Sequence, residues 1–252
     1  MLFSPLEQFQ IYPLFPIYLF YFDFSITNIF LISIITISFF YFFIFLSSSY
    51  DKTFFVIPTT WQNTIELVYN MVALLLFDNI NKKGELYFPF IVVLFLFILC
   101  LNLIGLISFS FTITSHIIIT FMFSFSIFIG INIICFTLYR FQAFSLFIPS
   151  NTSFGLALLL VPIEFISYFF KPISLGVRLF ANLMAGHTLL KVIVGFSWDL
   201  LFLNSKFLSL THIIPLLILI ILFGLELAVA AIQAYVFTIL TCIYLNESIN
   251  LH

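Results

Sequence analysis

From Leu86 to Tyr139 the chain carries no Asp, Glu, Lys or Arg, and the same holds from Phe24 to Tyr50. About 20 apolar residues in a helix cross a hydrocarbon core of about 30 Å, so runs of this kind belong inside a bilayer. Composition agrees. Charged residues make up 7% of the chain and hydrophobic residues 63%, with a mean hydropathy of +1.27. A soluble domain carries about 25% charged residues to meet water. With a net charge of −2 and no basic tract, nucleic-acid binding has no electrostatic footing. The sequence therefore predicts an all-α integral membrane protein forming one membrane domain over residues 1–252.

Gaps between charges place the spans. A first runs over about 26–46. The long uncharged stretch suits two helices broken at the polar run Ser108–His116, giving spans near 88–107 and 117–138. After Arg140, Ser150-Asn151-Thr152 is a helix-start signal. A fourth element comes next, over about 152–196, closed by a loop at Ser197–Ser205, and a fifth covers about 208–245. The last two far exceed what a perpendicular crossing needs, so they must tilt, bend or lie partly in the interface. Between the first two spans, Asn63, Glu66 and Asn70 recur at helical spacing, with Leu67, Met71, Leu74 and Leu75 on another face. That pattern predicts an amphipathic helix on the membrane surface over about 59–78. The expectation is about five membrane-embedded helices plus this surface helix.

Lys52, Lys82, Lys83 and Arg140 fall in the segments after spans one and three, whereas the N-terminal segment and Ser108–His116 hold no Lys or Arg. The positive-inside rule puts those four inside and the N-terminus outside. No basic n-region or Arg-rich amphipathic presequence opens the chain. The expectation is synthesis in the compartment of insertion, or insertion through the first span.

The informative residues are those that lipid should exclude. An ionised side chain at bilayer centre costs from roughly 2.5–3.5 to 10–17 kcal/mol, depending on how it is measured. Arg178 lies midway through Pro172–Leu190 and cannot shed its proton; snorkelling suits Lys171 and Lys191 better, as residues near helix ends. A lone buried cation needs an anion, which a partner subunit can supply. Asn182 follows Arg178 by one turn on the same face. Glu226 stands alone in a long uncharged run, and Gln233 shares its face about two turns later, among Gly224, Ala228, Ala230, Ala231 and Ala234, which permit close helix approach. A Glu kept neutral in lipid can carry a proton, and beside it His187 would make a proton-accepting pair. A lone membrane His is also an ordinary hydrogen-bonding group, and small residues need no function. Asn102, His116 and Glu164 are weaker candidates, equally at home at helix ends or in simple hydrogen bonds.

Other chemistries lack their residues. Cys100, Cys135 and Cys242 sit in apolar runs without CxxC spacing, so neither a disulfide framework nor a metal site is expected. His116, His187, His212 and His252 show no repeated spacing suited to haem ligation. No phosphate loop, dinucleotide fingerprint or nucleophile constellation appears, and no cofactor is expected.

The run Ser174-Leu-Gly-Val-Arg-Leu-Phe-Ala-Asn-Leu-Met-Ala-Gly-His187-Thr-Leu-Leu-Lys191 resembles the signature helix of subunit a of F-type ATP synthases. The run from Leu225 through Glu226 and Gln233 to Leu245 resembles that family's last helix. The mitochondrial branch fits best, through Asn102-Leu-Ile-Gly-Leu, Thr112-Ile-Thr-Ser-His116 and the Asn246–His252 ending. Similarity is dense from about Gly155 onward, and the order of spans matches throughout. The resemblance implies that Arg178 faces the carboxylates of a ring of c subunits, with Asn182 and Gln233 as polar neighbours on the ring-facing surface. It implies that His187 and Glu226 line one proton half-channel, a pair that bacterial relatives often carry in exchanged positions. Glu164 would belong to the other half-channel, and Asn102 and His116 would flank the inlet. Gly105 stands where some bacterial relatives have an aspartate, and Tyr139–Phe147 lacks the Gly/His turn common in relatives.

The resemblance further implies a proton-translocating stator subunit that does no covalent chemistry. Its partners would be the c-ring, the peripheral stalk, other membrane subunits of the synthase, and the lipid. The last two elements would lie tilted as a hairpin against the ring, in the mitochondrial inner membrane. A structural or assembly subunit of a respiratory complex, whose polar residues only join helices, is the alternative; an autonomous transporter would need more buried acids than Glu164 and Glu226.

Overall fold

The computed structural model describes residues 6–19, 22–48, 60–107, 111–147, 154–202 and 213–250. Six α-helices occur among them: α1 (Asn28–Ser48), α2 (Thr60–Ile80), α3 (Phe88–Gly105), α4 (Ile117–Tyr139), α5 (Phe154–Leu201) and α6 (Ile213–Ile249). Four stretches, within Gly84–Gly105, Ile117–Ala143, Leu158–Leu201 and Ile213–Ile249, are long and apolar enough to cross a membrane. α1 adds 21 residues without a charge. Large apolar side chains point outward all along these helices, among them Leu158, Leu159, Ile220 and Ile221. In water that would be untenable; in lipid it is the expected surface.

The helices fall close to the expected spans, with two informative departures. α5 continues to Leu201, through Ser197, Trp198 and Asp199, which the sequence pattern assigns to the closing loop. The Ser197 hydroxyl donates to the Val194 carbonyl at 2.8 Å, so the serine is absorbed into the helical turn. α6 likewise runs past Leu245 to Ile249, because Ser248 donates back to the Leu245 carbonyl at 2.7 Å and the Asn250 amide to that of Asn246. The expected start signal Ser150–Thr152 and the remainder of the 197–205 loop, beyond Phe202, lie outside the described residues. At about 1.5 Å per residue, α5 with 48 residues and α6 with 37 far exceed a bilayer core. Pro162 and Pro172 sit inside α5, where each lacks the N–H that would close a helical hydrogen bond.

The chain forms two compact units. The first comprises Met1–Ile44, Ile98–His116 and Leu179–Ala234. Its beginning is a feature the helical reading does not anticipate. A single 3-10 turn, Glu7–Phe9, leads into two short antiparallel ribbons, β1 (Pro13–Phe15) with β4 (Ile26–Thr27) and β2 (Tyr18–Leu19) with β3 (Phe22–Asp23). Asn28, the first residue of α1, fastens this segment. Its side-chain amide donates to the Gln10 carbonyl at 3.0 Å and accepts from the Tyr12 amide at 3.3 Å.

The second unit comprises Phe45–Phe97, Ile117–Arg178 and Tyr235–His252. Here α2 buries Val72, Leu75, Leu76 and Ile80, whereas Leu67, Met71 and Leu74 remain exposed. Of the four apolar residues assigned to one face from sequence, only Leu75 packs inward, so the helix carries apolar side chains on two sides. α4 and α5 approach closely at Gly176, where an added Cβ would lie 2.8 Å from Ser124 Oγ and 3.2 Å from the Thr120 carbonyl oxygen. Beside that crossing, Phe128 packs on Tyr168 with ring centres 4.9 Å apart, and the Tyr168 hydroxyl donates to Asn132 at 2.6 Å. Arg140 ends α4 with φ 51°, a left-handed conformation that halts the helix. A 3-10 turn over Arg140–Phe147 follows.

Candidate functional site

The polar residues singled out from sequence divide between the two units. In the first, α5 presents His187 and α6 presents Glu226 and Gln233, all buried. α3 presents Asn102, 1% exposed. His187 Nε2 has no protein partner. A neutral imidazole keeps a lone pair on one ring nitrogen, and Nε2, without a protein partner, is free to use it to accept a proton.

Glu226 reaches α5 beside His187. A Cβ built on Gly186 would fall 2.9 Å from Glu226 Cδ and 3.3 Å from Cγ, so the carboxyl occupies the space that this glycine leaves. Both carboxyl oxygens are buried without a hydrogen-bond partner in the protein. His187 and Glu226 stand on different helices far apart in sequence, and the structure places the carboxyl against the residue preceding His187.

One to two turns along each helix, Asn182 Nδ2 donates to Gln233 Oε1 at 2.9 Å. Asn182 is exposed and Gln233 is buried. The pair therefore presents a polar group at the surface of the unit while tying it to the interior. Small exposed residues surround this surface: Ala181 and Ala185 on α5, and Gly224, Ala228 and Ala231 on α6. Nothing lies within 4 Å of a Cβ built on Gly224. Ala230 and Ala234 point the other way and are buried. The small residues of α6 thus split into an inner set that packs within the protein and an outer set open to a neighbour.

Asn102 has a structural task. Its Nδ2 donates to the Ala230 carbonyl at 3.1 Å, joining α3 to α6, while Oδ1 has no protein partner. His116 follows the 3-10 turn Ile113–Ser115, half-buried, with its ring 5.1 Å from that of Phe111. Burial lowers its pKa and favours the neutral imidazole.

Gln8, Phe9, Thr112 and Thr114 also belong to this region; the two threonines fall in the Thr112–His116 stretch that carries the resemblance, whereas no pattern in the sequence singles out Gln8 or Phe9. The threonine hydroxyls are buried without partners, as is Gln8 Nε2. Phe9 meets the His187 ring edge-on at 6.4 Å between centres. Gln8, His187 and Lys191 line a cavity of about 60 Å³ closed by Leu190, Val194, Leu219 and Phe223. Polar atoms converging on such a space suit water, which needs only ~10–15 Å³ per molecule. Lys191 is well inside α5, not near a helix end as its sequence context suggests.

In the second unit, Lys171 departs further from the snorkelling expectation. It is mid-helix, pairs with Glu247 near the end of α6, and lies over the rings of Tyr168 (5.4 Å) and Tyr244 (5.0 Å). Glu164, two turns earlier on α5, is half-buried with Oε2 lacking a protein partner. Arg178 is also half-buried, and among the described residues it forms no ion pair. Helical spacing sets Asn182 one turn beyond it along α5. Cys100, Cys135 and Cys242 are free and buried, and no cluster of three or more ligating side chains occurs among the described residues.

Apolar helices long enough to span a bilayer, with a carboxyl, an imidazole and amides buried inside, define a multi-spanning membrane protein with a polar interior. The chain belongs to the family of the ATP synthase A chain, whose model matches residues 29–246, and is a membrane subunit of F-type ATP synthase. It is 52% identical over 249 residues to ATP synthase subunit a of Pylaiella littoralis, covering 99% of both chains. It is 48% identical to the subunits of that name from Chondrus crispus and Brassica napus, covering 99% of this chain and 97% of each relative.

Proposed function

We propose that this chain is the proton-conducting stator element of the synthase, coupling proton flow to rotation of a c-ring. The observation that carries the reading is the buried group of His187 and Glu226 within the first unit. His187 Nε2 and both Glu226 oxygens lack protein partners, and a buried polar group without a partner costs about 1–3 kcal/mol. Conducting protons gives that cost a purpose; joining helices does not, because a joining residue would be hydrogen-bonded to the helix it joins. His187, Glu226, Asn102 and His116 form the inlet half-channel, and Glu164 belongs to the outlet.

Arg178 is the partner of the ring carboxylate. A carboxyl that has taken a proton from the inlet is neutral and turns through lipid at low cost. On meeting Arg178 its pKa falls, and the proton leaves by the outlet. The same charge repels a hydronium and blocks a direct leak. Asn182 and Gln233 face the ring, and the open small-residue face of Ala181, Ala185, Gly224, Ala228 and Ala231 allows ring helices close approach. Each proton crossing 100 mV releases about 2.3 kcal/mol, which rotation carries to the catalytic head. The peripheral stalk and other membrane subunits hold the chain against the torque. Its place is the mitochondrial inner membrane, with the N-terminus toward the intermembrane space, and the excess length of α5 and α6 is taken up by tilting against the ring.

Exchange of the two inlet residues tests this. In the assembled complex, His187→Glu combined with Glu226→His should restore more ATP-driven proton pumping than either single change retains. A double exchange no better than the worse single variant contradicts a shared channel.

A further inference from the structure

We infer that the turn Glu7–Phe9 forms the outer wall of the His187 cavity, and that the Gln8 amide positions the water that delivers protons to His187. The inference rests on the inlet role proposed above and adds a residue and a segment to it. Four observations converge. Gln8 and His187 line the same cavity. Each has a buried Nε2 without a protein partner. These two atoms are chemically complementary to a single water: an amide N–H can only donate, and a neutral imidazole with its lone pair on Nε2 accepts. Phe9 holds the His187 ring edge-on from the same turn.

This turn is not a loose end. The Phe9 amide donates to the Leu6 carbonyl at 3.1 Å, and the Gln10 amide to that of Glu7 at 3.2 Å. Gln10 and Tyr12 are fastened to Asn28 at the head of α1, and the ribbon Pro13↔Thr27 closes the segment on itself. α1 therefore fixes the position of Gln8, although the two are separated by the whole ribbon.

Atoms and charge balance in the transfer. A neutral water, held by the Gln8 N–H through its oxygen, gives one of its own protons to His187 Nε2 while taking another from the aqueous side. The products are an imidazolium and the same water, ready for the next proton. Gln8 is thus a positioning residue, since it neither gains nor loses a proton. The titratable groups on the elements packed against His187 are Lys191 on its own helix, Glu226 on α6 and, next to Gln8 in the turn, Glu7; α3 brings neutral Asn102.

The test uses the intact synthase in inverted membrane vesicles and measures ATP-driven proton pumping against pH, with complex content read from native gels. Gln8→Met keeps the side-chain volume and removes the amide. Losing one hydrogen bond of ordinary strength to the transferring water should slow pumping about three- to tenfold at unchanged complex content. Gln8→Glu places a carboxylate at the cavity, which favours the imidazolium, so the alkaline limb of the pH profile should move upward. Wild-type pumping and pH profile in an assembled Gln8→Met complex overturn the inference. Where Gln8→Met does not assemble, Gln8→Glu decides: an unmoved pH profile overturns the inference and an upward shift supports it. His187→Leu, run in parallel, separates the two levels. Full pumping by that variant overturns the inlet reading itself, whereas its loss alongside an inert Gln8 overturns the role of Gln8 alone.

Discussion

Asn182 and Gln233, residues from two different helices, share one hydrogen bond of 2.9 Å with its donor at the surface and its acceptor in the interior. The bond aims the Asn182 amide by anchoring it to a buried side chain. Gln233→Leu removes the anchor and leaves Asn182 free to change rotamer. ATP synthesis by the assembled complex should fall about three- to tenfold, the equivalent of one hydrogen bond. Asn182→Ala, which removes the aimed group itself, should cost at least as much. Unchanged synthesis in both would contradict a ring-facing role for the pair.

Gly186 makes room for the Glu226 carboxyl. A methyl group there would fall 2.9 Å from Glu226 Cδ, well inside van der Waals contact, so the carboxyl must swing away. Gly186→Ala should lower ATP-driven proton pumping at least about fivefold, through the displaced acid, since overpacking of this kind costs about 1–3 kcal/mol. Pairing it with Glu226→Asp, which withdraws the carboxyl by one methylene, should recover part of the loss. Vesicle pumping assays on the two variants check both statements.

Gly176 plays a purely structural part by comparison. A Cβ there would meet the Thr120 carbonyl oxygen at 3.2 Å and Ser124 Oγ at 2.8 Å. The hydroxyl can rotate; the backbone carbonyl cannot. Gly176→Ala should destabilise the α4–α5 crossing by about 1–3 kcal/mol, seen as reduced complex yield and a lower unfolding temperature. Proton flux per assembled complex should stay near wild type.

Span placement is legible in the sequence because lipid enforces it: charge gaps locate α1, α3, α4, α5 and α6 to within a few residues at most described ends. The pattern ends a helix too early wherever polar residues close the turn onto their own backbone, as Ser197 and Ser248 do. Arg178, His187, Glu226 and Gln233 stand out because each is costly in hydrocarbon. Relations between distant segments are beyond a linear reading. The pairing of Lys171 with Glu247 and the seating of Glu226 on Gly186 are of this kind. Gln8 carries no periodic signal at all, since a three-residue turn is too short to show one. Asn102 reads as a path residue, and the structure adds that half of its amide binds the Ala230 carbonyl.

Orientation can be checked by proteolysis. Tyr18 is 73% exposed in the N-terminal ribbon, and Phe141, beside Arg140, is 88% exposed. Chymotrypsin added to mitoplasts should cut near Phe15–Tyr18 and spare the Leu86 and Phe141 turns, if the proposed orientation, with Lys82, Lys83 and Arg140 on the matrix side, holds. Cutting at Phe141 alone would invert the topology and exchange inlet and outlet, leaving the role of Arg178 unaffected.

Everything in the coupling scheme turns on Arg178 setting the protonation of the ring carboxylate. Proton-driven ATP synthesis by purified, reconstituted complex carrying Arg178→Lys, with assembly verified on the same preparation, puts that role to the test. Lysine retains a positive charge but loses the planar, multi-donor guanidinium, and its own pKa falls readily when buried. The expected outcome is an assembled complex in which synthesis is abolished. Wild-type synthesis in an assembled Arg178→Lys complex would contradict the role assigned to Arg178.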